Sequence, residues 1–166
     1  MLAILAILFG ILAAGSALIA ELLIASFSPV PITLEGTFSF VVFFAIVGIA
    51  LIEEIVKYVF LRQYVRRFFA QETPSLKASL SLGTLFGLGF AAPEIYLATG
   101  VFQSFPLLAF PSILAVHIMT SVAFALFLFS SSPRFTGPKR QLLVFSLIAA
   151  AVLLHTLYNT YVLLVP

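Results

Sequence analysis

The stretch LAILAILFGILAAGSALIA, residues 2–20, contains no charged side chain. A helix needs about 20 mostly apolar residues to cross a bilayer, so this stretch is long enough to do so. A secretory signal peptide is the rival interpretation. However, no Lys or Arg precedes the apolar run, and the run is longer than a usual signal core. We therefore predict a first transmembrane helix over residues 2–27 that is retained in the protein.

The composition of the whole chain repeats this pattern. Of the 166 residues, 63% are hydrophobic and 8% are charged, whereas soluble domains carry about 25% charged residues. A chain with so few charges cannot cover its surface with polar groups in water, and its natural solvent is lipid. We predict an all-α, polytopic membrane bundle. A chain of this length forms one compact unit, so we expect a single domain over residues 1–166.

Four further apolar stretches follow the first, separated by short segments rich in Pro, Gly and polar residues. They predict helices at about 38–61, 75–98, 106–129 and 138–164, which brings the bundle to about five transmembrane helices. Residues 62–72 alternate arginine with aromatic residues, a pattern typical of an amphipathic segment that lies at the lipid headgroups. No internal repeat is visible.

The basic residues indicate how the chain is oriented. Seven of the eight fall in or beside two of the predicted connections, and cytoplasmic loops are the ones enriched in Lys and Arg. We therefore predict a multi-pass protein of a prokaryotic plasma membrane, with both basic connections in the cytoplasm and with the N- and C-termini outside. The basic residues flank hydrophobic segments, so we expect the lipid bilayer as a partner and no nucleic acid. The seven residues beside the connections are Arg62, Arg66, Arg67, Lys77, Arg134, Lys139 and Arg140. The eighth basic residue, Lys57, lies inside the second helix.

Polar residues inside the predicted helices need a reason, because an ionisable group at the centre of a membrane helix costs about 2.5–3.5 kcal/mol. Such residues usually face a bundle interior and serve a function. Seven of them are candidates for one buried site: Glu53, Glu54, Lys57, Glu94, His117, His155 and Asn159. Glu21 lies near the outer end of the first helix, and we expect its carboxylate to reach the membrane interface.

Glu53, Glu54 and Lys57 share one segment of the second helix. Residues three and four apart lie on one helical face, so Lys57 can reach either carboxylate. Adjacent residues are about 100° apart around a helix, so the two glutamates point in different directions. We expect one glutamate to pair with the lysine while the other faces the interior of the bundle.

The other candidates lie on three later helices. Glu94 shares a stripe of the third helix with Gly83 and Gly87, whose missing side chains predict close approach of another helix. His117 on the fourth helix and His155 on the fifth can titrate near neutral pH, and a nearby Glu can act as a base or a metal ligand. The helical rise places all of them between the middle and the outer half of the membrane.

The residue inventory removes most known chemistries of intramembrane proteolysis. The chain has no Cys, and all six of its acidic residues are Glu. An aspartyl mechanism is therefore excluded, as is a cysteine nucleophile. Neither His lies in the H-E-x-x-H context of a zinc protease, and no G-x-S-x-G serine motif occurs. Glu and His that polarise a water molecule, with or without a metal, are what remains.

The residues resemble a known family in their order along the chain. Residues 53–57 read E-E-I-V-K, an E-E-x-x-K motif. Residues 87–94 read G-L-G-F-A-A-P-E, a G-x-G-F-x-x-x-E motif. His117 follows on the next helix, and residues 155–159 read H-T-L-Y-N. This set resembles the PrsW family of membrane peptidases, which are distant relatives of the CAAX prenyl endopeptidases. Those relatives typically show E-E-x-x-x-R and F-x-x-x-H, so Lys57 and Glu94 favour the PrsW branch.

The resemblance implies a glutamate-dependent peptidase that cuts a membrane-anchored protein, anti-sigma factors being the known type of substrate. Glu53 or Glu54 would be the general base that activates water. The two histidines would hold the water, stabilise the oxyanion or protonate the leaving amine. Glu94 and Asn159 would orient them, and Lys57 would tune the glutamate pair. We expect no obligatory cofactor, with a divalent metal such as zinc left open.

Two other functions stay open at this point. A metal-dependent membrane hydrolase would use Glu94, His117 and His155 as ligands. A non-enzymatic proton or cation pathway would use the same Glu and His residues for transport. Transporters usually show repeat symmetry or broken helices in matching halves, and five unequal helices show neither.

Overall fold

The computed structural model describes residues 1–27, 40–69, 75–101, 109–130 and 137–164. These residues form five α-helices: α1 (Leu2–Ser26), α2 (Phe40–Phe68), α3 (Leu76–Val101), α4 (Ala109–Ser130) and α5 (Pro138–Leu164). A helix satisfies its own backbone hydrogen bonds, which is required where no water is available. The prediction of an all-α membrane bundle is confirmed.

The observed helices follow the predicted ones except at the second. We predicted that α2 ends near residue 61 and that an interfacial segment follows. Instead the helix continues through Phe68. In this last part Tyr64 is buried, whereas Arg62, Arg66 and Arg67 are exposed. The predicted alternation of arginine and aromatic residues is thus one helix with a buried and an exposed side, and residues 70–72 of the predicted segment lie outside the described residues.

Four of the helices, namely α1, α3, α4 and α5, are long and apolar enough to cross a membrane. The remaining long helix, α2, carries Glu53, Glu54 and Lys57 near its centre, which lowers its apolar character. All three of these charged residues are buried inside the bundle. Because these side chains are not exposed to lipid, α2 can pack in the same membrane bundle as its neighbours.

Close backbone contacts hold α3 between α1 and α4. A Cβ atom at Gly83 would lie 2.5 Å from the Cα of Val122, and one at Gly87 would lie 2.7 Å from the carbonyl oxygen of His117. On the opposite side, Gly89 meets the backbone of Ile7. Small residues of this kind let membrane helices approach closely. The predicted role of Gly83 and Gly87 as a packing surface is confirmed.

One hydrogen bond corrects the predicted orientation of the termini. The hydroxyl of Tyr64 donates to the carbonyl oxygen of Leu2 at 2.7 Å, so α1 begins at the end of the bundle that carries Arg62, Arg66 and Arg67. If all five helices cross the membrane in alternation, the two ends of the chain lie on opposite sides, whereas we predicted that both lie outside. The positive-inside rule now predicts a cytoplasmic N-terminus and an external C-terminus.

Candidate active site

The centre of the site is a buried ion pair within α2. The Nζ atom of Lys57 lies 2.6 Å from Oε1 of Glu54, and both side chains are fully buried. The same Nζ donates to Oγ1 of Thr120 at 3.3 Å and lies 4.6 Å from the centre of the Phe90 ring. A buried charge pair needs such additional contacts to offset its loss of hydration. Of the two adjacent glutamates, Glu54 is therefore the one held by the lysine.

His155 of α5 lies between the two glutamates. Its Nδ1 atom forms a hydrogen bond with Oε1 of Glu54 at 2.9 Å. Its Nε2 atom faces Oε2 of Glu53 at 3.5 Å, which is longer than a hydrogen bond. The contact with Glu54 sets the orientation of the imidazole ring. The other ring nitrogen is directed to Glu53 and is available for chemistry.

His117 of α4 has the same kind of support from another carboxylate. Its Nε2 atom lies 2.6 Å from Oε2 of Glu94, which α3 supplies. The ring of His117 is 5.1 Å from the ring of His155 in an edge-to-face arrangement. The Nδ1 atom of His117 is buried and has no hydrogen-bond partner. Each histidine is thus fixed by a glutamate through one ring nitrogen and open at the other.

Three possible metal ligands lie close together. Ligand atoms of Glu53, His117 and His155 all lie within 4.8 Å of one another. Oε2 of Glu53 is buried without a hydrogen-bond partner, as is Nδ1 of His117. Unpaired buried polar atoms are costly and usually mark a bound ion, a water molecule or a reaction site. Two imidazoles and a carboxylate form a donor set that zinc accepts, and ligating histidines usually give their second N–H to a carboxylate or carbonyl. These residues fit a divalent metal.

The electrostatic balance of the site also favours a bound cation. The connected group contains three carboxylates, those of Glu53, Glu54 and Glu94, and a single ammonium group, that of Lys57. With the carboxylates ionised and the histidines neutral, the formal charge of this group is minus two. A low-dielectric interior strongly disfavours an uncompensated charge. A divalent cation would remove this imbalance.

A small cavity of about 60 Å³ adjoins the site between α1, α2 and α3. It extends from Glu53 towards the outer parts of α1 and α3, where Glu21, Glu94 and Leu97 line it. A cavity that holds water needs polar partners for it, and these carboxylates supply them. The cavity is large enough for a few water molecules. It gives Glu53, but not Glu54, a described connection to open space.

Glu21 was placed at the membrane interface by sequence reasoning, whereas the structure places it on this cavity. Its Oε1 atom is buried without a hydrogen-bond partner. Thr120 was also missed, although it contacts Lys57. The signal for Thr120 was its position three residues after His117, on the same face of the helix. Glu21 offered a weaker signal, namely a carboxylate among apolar residues far from any basic residue in sequence.

Six of the seven predicted site residues form one connected group through the contacts above, with Lys57 and Glu94 at its two ends. Asn159 is the exception within the described part of the chain. It lies one turn beyond His155 on α5 and is half-buried, and no hydrogen bond connects it to Glu53, Glu54 or Glu94. Its predicted role in orienting the histidines therefore has no supporting contact.

The PrsW family intramembrane metalloprotease model matches residues 1–166, which is the whole chain. The chain belongs to the PrsW family. No curated protein and no solved structure matches it. Membership of the PrsW family identifies the chain as a membrane-embedded peptidase, with the lipid bilayer around it and a protein as its substrate. The family is described as metalloproteases, and the buried group Glu53, His117 and His155 offers ligands for a metal ion.

Proposed function

We propose that this PrsW-family protein hydrolyses a peptide bond of a membrane-anchored protein, of the anti-sigma-factor type, at the buried site formed by Glu53, His117 and His155. One observation carries the proposal: ligand atoms, one each from the buried residues Glu53, His117 and His155, lie within 4.8 Å of one another. Four different helices supply the residues of the site and their supports.

Glu53, His117 and His155 would hold a divalent metal, with Glu54 and Glu94 fixing the two imidazole rings. When bound, the metal supplies Lewis-acid polarisation of a carbonyl group and of water. Carboxylate support of a ligating histidine sets its tautomer and raises its basicity, and its loss typically costs 10–100-fold in metal affinity. We prefer this ligand set to the alternative of Glu94, His117 and His155, because Glu94 is not part of the group whose ligand atoms lie within 4.8 Å of one another.

Glu53 is the general base in this proposal. It lines the cavity, whereas Glu54 is bound by Lys57 and His155 and does not line it. A carboxylate has two oxygens, so one can be a ligand while the other accepts a proton. Glu53 takes a proton from water as the water oxygen bonds to the peptide carbonyl carbon. It then delivers this proton to the leaving amine as the C–N bond breaks.

Substitution of the site residues tests the peptidase proposal. General acid–base catalysis contributes about 10²–10⁴-fold to rate, so Glu53→Gln should lower cleavage of a reconstituted single-span substrate by at least about 100-fold. Glu54→Gln and His155→Ala should also abolish cleavage while the helical circular dichroism is retained. Thr99→Val is the matched control, since Thr99 bonds only to the backbone of its own helix. Normal cleavage by all three site variants would contradict the assignment.

Metal removal separates the metal-dependent reaction from a glutamate reaction without metal. Chelation should abolish cleavage, and Zn²⁺ should restore it. Zn²⁺ should also raise the thermal unfolding temperature of the wild type but not of His117→Ala, which provides a readout besides activity. Full cleavage by a chelated protein of verified zero metal content would instead support the glutamate-dependent mechanism with Glu53 as base.

A further inference from the structure

A groove of about 410 Å³ lies between α2 and α5 at the end of the bundle that carries the basic residues. Its lining residues come from α2 and α5, whereas Glu94 and His117 of the candidate site lie on α3 and α4. The residues that line it combine two arginines with an apolar floor: Tyr58, Arg62, Arg140, Gln141, Val144, Phe145 and Ile148.

The two arginines come from different helices, and both are exposed. No carboxylate is among the described residues that line the groove, and neither Arg62 nor Arg140 forms an ion pair within the described ranges. Two guanidinium groups that converge without an acidic partner are suited to an anion. Arginine binds phosphate oxygens with particular strength because its N–H groups form a planar fork.

The floor of the groove is apolar, which favours an anion that also carries a hydrocarbon chain. Tyr58 is buried, Val144 and Ile148 are half-buried, and Phe145 is exposed. These side chains run from the arginines towards the middle of the membrane. An acyl chain fits such a surface, whereas a free phosphate ion would leave it unfilled. The positive-inside rule places the groove in the cytoplasmic leaflet, where anionic lipids attract basic residues.

Helix α5 connects the groove to the candidate active site, because it carries residues of both. Only 17% of the apolar window of α5 is buried in the bundle, against 28% to 39% in the other three candidate spans. Yet α5 carries His155, which depends on Glu54 of α2 for its orientation. A molecule that bridges Arg62 of α2 and Arg140 of α5 would hold these two helices together.

We propose that an anionic phospholipid binds this groove, with its phosphate between Arg62 and Arg140 and an acyl chain along Val144 and Ile148. The lipid stabilises the α2–α5 contact and thereby the position of His155. The effect on cleavage rests on the peptidase function proposed above. The binding itself does not.

Reconstitution into nanodiscs of phosphatidylcholine, with and without phosphatidylglycerol, tests the proposal. Lipid retained by the protein is measured by mass spectrometry, and stability is measured by thermal unfolding. Phosphatidylglycerol should bind the wild type and raise its unfolding temperature. The double variant Arg62→Gln/Arg140→Gln should bind it more weakly, by about fivefold for each arginine removed.

A second double variant is the matched control. Arg66→Gln/Lys139→Gln removes the same charge from the same two helices, but these two residues do not line the groove. It should retain binding. Equal loss in both double variants would overturn the proposal in favour of general surface attraction. Equal stabilisation by soluble glycerol phosphate would overturn the assignment of a lipid.

Cleavage provides the last comparison. If the wild type binds phosphatidylglycerol and cuts faster with it, while Arg62→Gln/Arg140→Gln does neither, the lipid controls the active site as proposed. If binding is retained but cleavage is absent in every lipid, the peptidase function fails and the lipid site stands. If the wild type binds no phosphatidylglycerol, the lipid site fails whatever the cleavage shows.

Discussion

At the level of single residues, the site depends on how each histidine uses its two ring nitrogens. One nitrogen of each ring contacts a supporting carboxylate, and the other does not. Glu54 engages one nitrogen of His155 and Glu94 engages one nitrogen of His117. The other nitrogens are left for a metal, water or substrate. A histidine without such a carboxylate would adopt several orientations and tautomers, so the two glutamates preorganise the site.

Lys57 is expected to be essential for stability as well as for activity. Lys57→Met would leave Glu54 buried without its cation, and breaking a buried pair in this way costs about 3–5 kcal/mol. Thermal unfolding in detergent should show a large loss of stability, and Lys57→Met/Glu54→Gln should regain part of it. Lys77→Met is the control, because Lys77 is exposed. Equal unfolding temperatures for wild type and Lys57→Met would refute this role.

Glu21 is expected to keep water in the cavity next to Glu53. Glu21→Leu removes a polar group from the lining and should lower cleavage about tenfold or more, whereas Glu21→Gln should retain most of it because an amide also binds water. Because the chain has no Cys, labelling of single cysteines reports the water directly. A hydrophilic maleimide should label Leu18→Cys, which lines the cavity, and not Leu12→Cys, which faces lipid. Equal labelling of the two would contradict a wet cavity.

At the scale of elements, α3 is the helix that determines where Glu94 lies. Its glycines bring its backbone against that of α4, next to His117. Pro93 precedes Glu94 directly, yet α3 continues through it to Val101. The distance between Glu94 and His117 thus depends on the packing of two helix backbones and not on side-chain length alone.

Gly87→Ala should disturb this packing. The new methyl group would lie 2.7 Å from the carbonyl oxygen of His117, which is backbone and cannot rotate away. Overpacking of this kind typically costs about 1–3 kcal/mol, and a shift of His117 should also reduce cleavage. Gly48→Ala is the matched control, since a Cβ there meets nothing within 4 Å. Stability and cleavage are compared for both variants, and indistinguishable behaviour would rule out the close contact.

At the scale of the whole molecule, the topology places the active site relative to the two faces of the membrane. The bond from Tyr64 to Leu2 joins the start of α1 to the basic end of α2. Residues from the second half of α1 and from the second half of α3 line the cavity. If the basic end lies in the cytoplasm, as the positive-inside rule predicts, we expect water to reach Glu53 from the external half of the membrane.

Single cysteines also test this topology. We expect a membrane-impermeant thiol reagent, applied to intact cells, to label Thr99→Cys at the outer end of α3. The same reagent should label Lys77→Cys and Ala3→Cys only after the membrane is opened. All three positions are exposed. Labelling of Ala3→Cys in intact cells would restore an external N-terminus and would reverse the assigned direction of water access.

The membrane bundle could be predicted from the sequence, because hydrophobic runs of this length have no other stable solvent than lipid. Most of the candidate residues could be predicted as well. Each buried charge in lipid is costly enough to stand out against the apolar background, as Glu53, Glu54, Lys57 and Glu94 do. The glycine stripe of α3 also predicted close helix packing, because a missing side chain lets another helix approach.

The contacts between individual side-chain atoms are visible only in the folded chain. Glu53 and Glu54 are neighbours in the chain with the same chemistry. Their proposed roles differ because Lys57 and His155 form hydrogen bonds with Glu54, whereas Glu53 lines the cavity. The partnership of Glu94 with His117 depends on the rotation and depth of two helices, and an error of one residue in either would turn the side chain by about 100°. Glu21 joins the cavity for the same reason. Contacts between helices depend on angles that local sequence patterns do not specify.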